Sequence, residues 1–138
     1  MRELPRQLTR EELEELFSGP SVFVSLLAEV DDPLGRAEEI AAGLSDEDKT
    51  EALAAHPRIG EPSPEQSGND PTVLTELAYL NQVYEEKFGF RFVVFVAGRP
   101  HGELLEVMRE RLARTREEEL ETGISELVAI AQDRWQRR

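Results

Sequence analysis

Apolar side chains recur at helical spacing along most of this 138-residue chain. Thr9 and Glu12 stand three apart just ahead of an apolar run. That is capping-box spacing, and it predicts a helix from about residue 10 to about Phe17. Gly19-Pro20 breaks it. Phe23, Leu26, Leu27 and Val30 follow the i, i+3, i+4, i+7 pattern of a second amphipathic helix, which Asp31-Asp32-Pro33 ends. Leu34, Ala37, Ile40, Ala41 and Leu44 form a third stripe. Ser45 reads as the N-cap of a fourth helix, with Asp46 and Glu47 where the helix dipole favours acids. This helix should stop at about Ala55, because Pro57 pushes His56 out of the helical region.

The pattern fails over residues 56–71, HPRIGEPSPEQSGNDP, which hold four of the eight prolines and two glycines. A loop of that length inside a compact domain is usually functional or disordered. Periodicity resumes from about Thr72 to Phe88, with Leu74, Leu77, Ala78, Asn81, Tyr84 and Phe88 on one face and Gly89 as a stop signal. FRFVVFVA, residues 90–97, is β-branched and aromatic and reads as a buried extended segment. With no second strand to pair with, it is expected as an irregular core element. A turn at 98–102 precedes a helix marked by Leu104, Leu105, Met108 and Leu112. The last helix, from about Arg116 to Gln136, should face Leu120, Ile124, Leu127, Val128, Ala131 and Trp135 inward. No repeat or break in composition divides the chain. The expectation is one all-α domain over residues 1–138, a bundle of about seven helices with a long Pro/Gly-rich loop.

Composition narrows the function. Sixteen Lys and Arg against twenty-nine Asp and Glu leave a net charge of −13. Such a field opposes phosphate backbones and anionic lipid, so neither nucleic acid nor a membrane surface is an expected partner. No apolar run approaches the ~20 residues that span a bilayer. The N-terminal MRELPRQLTREELEELF lacks the apolar stretch of a signal peptide, so a cytoplasmic protein is expected. The absence of cysteine excludes disulfides, thiol nucleophiles and thiolate metal sites. The two histidines stand 45 residues apart in no metal-ligand motif, and the carboxylates follow helical surface spacing. No metal is expected. With no Gly-rich phosphate loop and no Gly-x-Ser-x-Gly, no nucleotide cofactor is expected either. Any chemistry must rest on His, carboxylates and Arg.

His56 ends a helix and opens the long loop. It is either an acid/base group near neutral pH or a helix-terminal histidine interacting with the dipole. His101, in a Gly/Pro turn, reads as a surface residue. Glu65 and Gln66 follow His56 by nine and ten residues. They either orient the imidazole and bind an amide-like ligand, or are solvated loop residues. Arg134 borders the buried stripe of the last helix. It either grips a carboxylate in a pocket or snorkels at the helix C-terminus. Asn81, on an apolar face, needs partners that are structural or functional.

The order of these features resembles a known family. His56-Pro57-Arg58-Ile59-Gly60-Glu61, then Glu65-Gln66, then Leu80-Asn81-x-x-Tyr84-x-x-Lys87-Phe88-Gly89-Phe90-x-Phe92-Val93 is similar to the 2-oxo-4-hydroxy-4-carboxy-5-ureidoimidazoline (OHCU) decarboxylases of urate breakdown. Arg109-x-Arg111-Leu112, the acids at 117–121 and Ile130-x-x-x-Arg134 continue the match over nearly the whole chain. The resemblance implies an all-α fold, often dimeric, that needs no metal or organic cofactor. It implies loss of CO₂ from an anionic ureidoimidazoline and stereoselective protonation to (S)-allantoin.

By matched position, the resemblance implies His56 as catalytic proton donor, Glu65 as its partner and Arg134 as the group that binds and polarises the substrate. It implies substrate contacts from Pro57, Gln66 and the backbone of Val94, Phe95, Val96, Ala97 and Gly98. Arg58 joins Arg134 as a candidate cation for the substrate carboxylate, and Ser63 as a candidate hydrogen-bonding group. Ser63-Pro64-Glu65-Gln66 is one residue shorter than the Ser-x-x-Glu-Gln usual in the family. Two alternatives stand beside the enzyme: a non-catalytic binding module of the same fold, and a decarboxylase or hydrolase of a related ureido acid.

Overall fold

Most of the helices begin where a side chain satisfies the orphan amides of the first turn. The computed structural model describes residues 7–58 and 71–137, and among these the elements are seven helices with no strand. They are α1 (Arg10–Leu16), α2 (Val22–Leu27), α3 (Pro33–Ala42), α4 (Asp46–Ala54), α5 (Pro71–Phe88), α6 (His101–Leu112) and α7 (Arg116–Arg137). The capping box at α1 is complete: the Glu12 amide donates to Thr9 Oγ1 at 3.1 Å and the Thr9 amide to Glu12 Oε1 at 3.0 Å. Ser21, Asp32 and Ser45 accept in the same way at the starts of α2, α3 and α4. Gly89 ends α5 at φ +83°, a left-handed conformation open to glycine.

α7 is the spine. It packs on α1, α3 and α4, while α2 fills the angle between α1, α3 and α4 and α5 pairs with α6. The approach of α4 to α7 depends on Gly123, where a Cβ would stand 3.3 Å from both methyls of Leu53. Residues 91–96 run extended and largely buried, without a strand partner among the described residues. Phe90 and Phe92 meet Tyr84 edge-on, with ring centroids 6.0 and 5.1 Å away, and Phe88 closes the cluster.

Four expectations are corrected. α2 ends at Leu27, short of Val30, and Leu26 is exposed. On α5, Ala78 faces out and Leu80 takes its place in the core, because the inward stripe is centred on Leu77, Leu80, Asn81 and Tyr84. His101 is buried as the first residue of α6: the turn before it is exposed, and the helix it opens carries it inward with Leu104 and Leu105.

The fourth concerns the carboxylates. Glu119 is wholly buried. Its Oε1 accepts from Tyr84 Oη at 2.6 Å and from Arg111 Nε at 2.7 Å, and its Oε2 from Arg114 Nη1 at 2.9 Å. A buried carboxylate is tolerable only when its charge is met and its lone pairs filled, as here. Arg111 also lies over the Phe92 ring, 4.4 Å from its centroid, and donates to the Val93 carbonyl at 2.8 Å. The ion pair therefore reaches the extended segment directly. Burial and the Glu119 contact push the Tyr84 phenol well above its usual pKa, so it stays a donor.

Two outcomes are expected. Glu119→Ala strands a buried guanidinium and should cost about 3–5 kcal/mol, read as a lower urea midpoint with unchanged slope. Burial lowers the His101 pKa, so the unfolded chain takes up that proton first. Stability should be full above the ordinary histidine pKa of about 6.5 and fall as pH drops through it. His101→Gln should flatten that part of the profile of urea midpoint against pH.

Candidate active site

His56 owes its place to the way α4 stops. Its amide donates back to the Leu53 carbonyl at 3.2 Å, completing the last turn, and Pro57 then forbids another. Arg91, from the extended segment, closes the end. Its Nη1 donates to the carbonyls of Ala54 at 2.8 Å and His56 at 2.7 Å. These are orphan carbonyls of a helix C-terminus, where a cation is also favoured by the dipole. The imidazole itself is only 6% exposed.

A second turn meets it. After α1 the chain bends at Ser18, φ +69°, and Gly19, φ +150°. A serine in the left-handed region is uncommon, and backbone strain there is held by surrounding contacts. Ser18 Oγ lies 3.3 Å from His56 Nδ1. Arg134 Nη1, from α7, donates to the same Oγ at 2.8 Å and to the Leu16 carbonyl at 3.0 Å. Residues from α1's exit, α4's exit and the last turns of α7 thus join at one point, with the two side chains 78 positions apart in sequence linked through one hydroxyl.

The other predicted residues are placed as follows. Pro57 is half-buried beside His56. Arg58 forms a two-pronged pair with Glu85, Nε to Oε2 at 2.7 Å and Nη2 to Oε1 at 3.1 Å, so its charge is offset within the protein. Val94 and Val96 are buried, and Ala97 and Gly98 make a tight turn with both φ positive. The Phe95 amide is held by Glu126 at 3.2 Å and the Phe95 carbonyl by Arg99 at 2.6 Å. Ser63, Glu65 and Gln66 lie outside the described residues.

The structure brings His56 and Arg134 together and adds two residues that sequence reasoning passed over, Ser18 and Arg91. Each had a signal. Ser18-Gly19-Pro20 is a turn tripeptide, and Arg91 alternates with the inward Phe90 and Phe92. Chemically, the cluster offers an imidazole beside a guanidinium in a part-buried site. That equips it to bind an anion and move one proton. Among the described residues no group of three or more His, Cys, Asp or Glu is arranged to hold a metal.

The sequence profile of the OHCU decarboxylase family matches residues 2–136. The uric acid degradation bifunctional protein TTL of Arabidopsis thaliana is 36% identical over 102 residues, 62% of this chain and 32% of that protein. The 2-oxo-4-hydroxy-4-carboxy-5-ureidoimidazoline decarboxylase of Halalkalicoccus jeotgali is 29% identical over 99 residues, 63% of this chain and 56% of the relative. The chain thus aligns with about a third to just over half of the length of these curated relatives. A crystal structure of OHCU decarboxylase in the presence of (S)-allantoin superposes with a TM-score of 0.78 at 30% identity, covering 89% of this chain and 94% of that one.

Arg91→Met removes both bonds to the end of α4 while keeping the apolar stem. A loss of about 1–3 kcal/mol is expected, together with faster amide hydrogen exchange confined to the last turn of α4. Unchanged exchange there would show that Arg91 does not hold His56.

Proposed function

The chain belongs to the OHCU decarboxylase family, and we infer from this that it removes CO₂ from 2-oxo-4-hydroxy-4-carboxy-5-ureidoimidazoline and protonates the product to (S)-allantoin, as one step of urate breakdown. The observation that carries the reading is the junction of His56 and Arg134 at Ser18. Two residues that the family pattern marks as catalytic, remote in sequence, meet in one part-buried place.

The chemistry asks for little beyond that junction. When the C–CO₂ bond breaks, its electron pair passes into the adjacent C=N of the substrate ring. The substrate is its own electron sink and needs no organic cofactor. One proton must then be added to one face. His56 supplies it as general acid, and Glu65 orients the imidazole or the substrate hydroxyl. The Arg134 guanidinium binds the anion and stabilises charge as it develops on the ring. Pro57, Gln66 and the backbone of Val94 to Gly98 line the substrate, with Ser63 as a further hydrogen-bonding group. Arg134, with Arg58 beside Glu85, supplies the attraction for the substrate carboxylate.

The assembly we propose is one domain acting in the cytoplasm, as a homodimer. No helix among the described residues is long and apolar enough to cross a membrane.

The test is a coupled assay in which OHCU is generated in situ from urate and (S)-allantoin is followed by circular dichroism. The protein should accelerate the signal over spontaneous decay; no acceleration would favour the non-catalytic module. His56→Ala should fold normally and lose about 10²–10⁴-fold in rate, the usual worth of general acid catalysis. An undiminished rate would remove His56 from the mechanism.

A further inference from the structure

Ser18 stands between the two catalytic candidates, and the identity of its donors and acceptors has a consequence for the imidazole. Arg134 has only donors and keeps its charge at any accessible pH, so in its 2.8 Å contact the Ser18 oxygen accepts. The hydroxyl's one proton is then left to donate. The ring nitrogen facing it, His56 Nδ1, is 3.3 Å away. A guanidinium on the oxygen polarises the O–H and makes it a better donor, so the two bonds reinforce each other. We propose that Ser18 is a positioning residue that relays the Arg134 charge to His56, donating to Nδ1 and so holding the neutral imidazole as the Nε2–H tautomer.

The backbone supports a dedicated role. Ser18 holds φ +69° beside Gly19, a conformation in which glycine is at ease and serine is not. Strain of this kind persists where the surroundings hold it, and the surroundings here are Arg134 and His56. The reverse arrangement, Nδ1–H donating to the oxygen already bound by Arg134, would fill both lone pairs of that oxygen and take the ring away as an acceptor for the hydroxyl proton. It would also put the ring's proton on the Arg134 side and leave Nε2 bare.

The functional meaning rests on the decarboxylase reading. A general acid must present its proton toward the substrate, and Ser18 would keep that proton on the nitrogen turned away from Arg134. His56 gives its Nε2 proton to the substrate, takes one back on Nε2 from water, and so returns to the neutral ring in the same tautomer.

The tautomer can be read without any assay of activity. The chain has only two histidines, so a long-range ¹H–¹⁵N correlation spectrum of the full protein, above the pH at which they titrate, resolves the His56 ring. The expected result is a pyridine-like Nδ1 and a pyrrole-like Nε2, with both signals moving toward the averaged values of mixed tautomers in Ser18→Ala and in Ser18→Gly. Ser18→Gly relieves the strained φ, so it guards against a variant that simply fails to fold. In the coupled assay both variants should lose about tenfold in kcat with little change in KM, the scale of one lost orienting hydrogen bond. A pyrrole-like Nδ1 in the wild type, or ¹⁵N shifts unchanged in both variants, overturns the proposal. Tautomer changes in a protein that does not decarboxylate OHCU would uphold the relay and reject the substrate.

Discussion

The fold turns on one buried carboxylate. Glu119 sits in the first turn of α7, where the helix dipole favours an anion, and three donors from three places converge on it. Tyr84 brings α5, Arg111 brings the end of α6, and Arg114 brings the loop before α7. Arg111 passes the constraint on, because the same guanidinium grips the Val93 carbonyl. That contact sets the position of a segment that has no sheet to hold it. Arg91 lies two residues earlier in the segment and fastens the end of α4 and the His56 backbone. The candidate catalytic histidine is therefore tied, through two arginines and a peptide carbonyl, to an ion pair in the core. Neutral hydrophobic packing would not transmit register this way, since apolar contacts tolerate sliding that directed hydrogen bonds do not.

The net charge of −13 takes on a different meaning against this arrangement. An acidic protein is an unpromising host for a carboxylate substrate, and most of the arginines described here are spent internally. Arg111 and Arg114 neutralise Glu119, Arg58 faces Glu85, and Arg116 reaches Asp46. Arg134 is different. Its bonds include those to the carbonyls of Glu15 and Leu16 and to the Ser18 hydroxyl, which place it at the His56 junction. The surrounding acidic surface acts as a filter against polyanions.

Much of this was legible in the residues. Thr9-x-x-Glu12, Ser45 and Gly89 are local devices whose physics closes within four residues, and each stands where the pattern predicted. The inward stripe of α7 follows from its periodicity, because burial of an apolar face is what stabilises a helix of that length. His56 before Pro57, and Arg134 beside the stripe, could be marked as candidates from position and family pattern. What could not be read were contacts between groups distant along the chain. Glu119 carries the same surface-like spacing as its neighbours Glu117 and Glu118, and nothing local distinguishes the one that is buried. His101 looks like a turn residue until α6 is seen to begin at it and to bury it. Ser18 is an ordinary loop serine until α4 and α7 deliver an imidazole and a guanidinium to it. Periodicity and capping are short-range and are written in neighbouring residues. The meeting of Ser18, His56 and Arg134, and the burial of Glu119, depend on how the helices pack against one another, and that is settled by complementarity across the whole core rather than by any stretch of sequence.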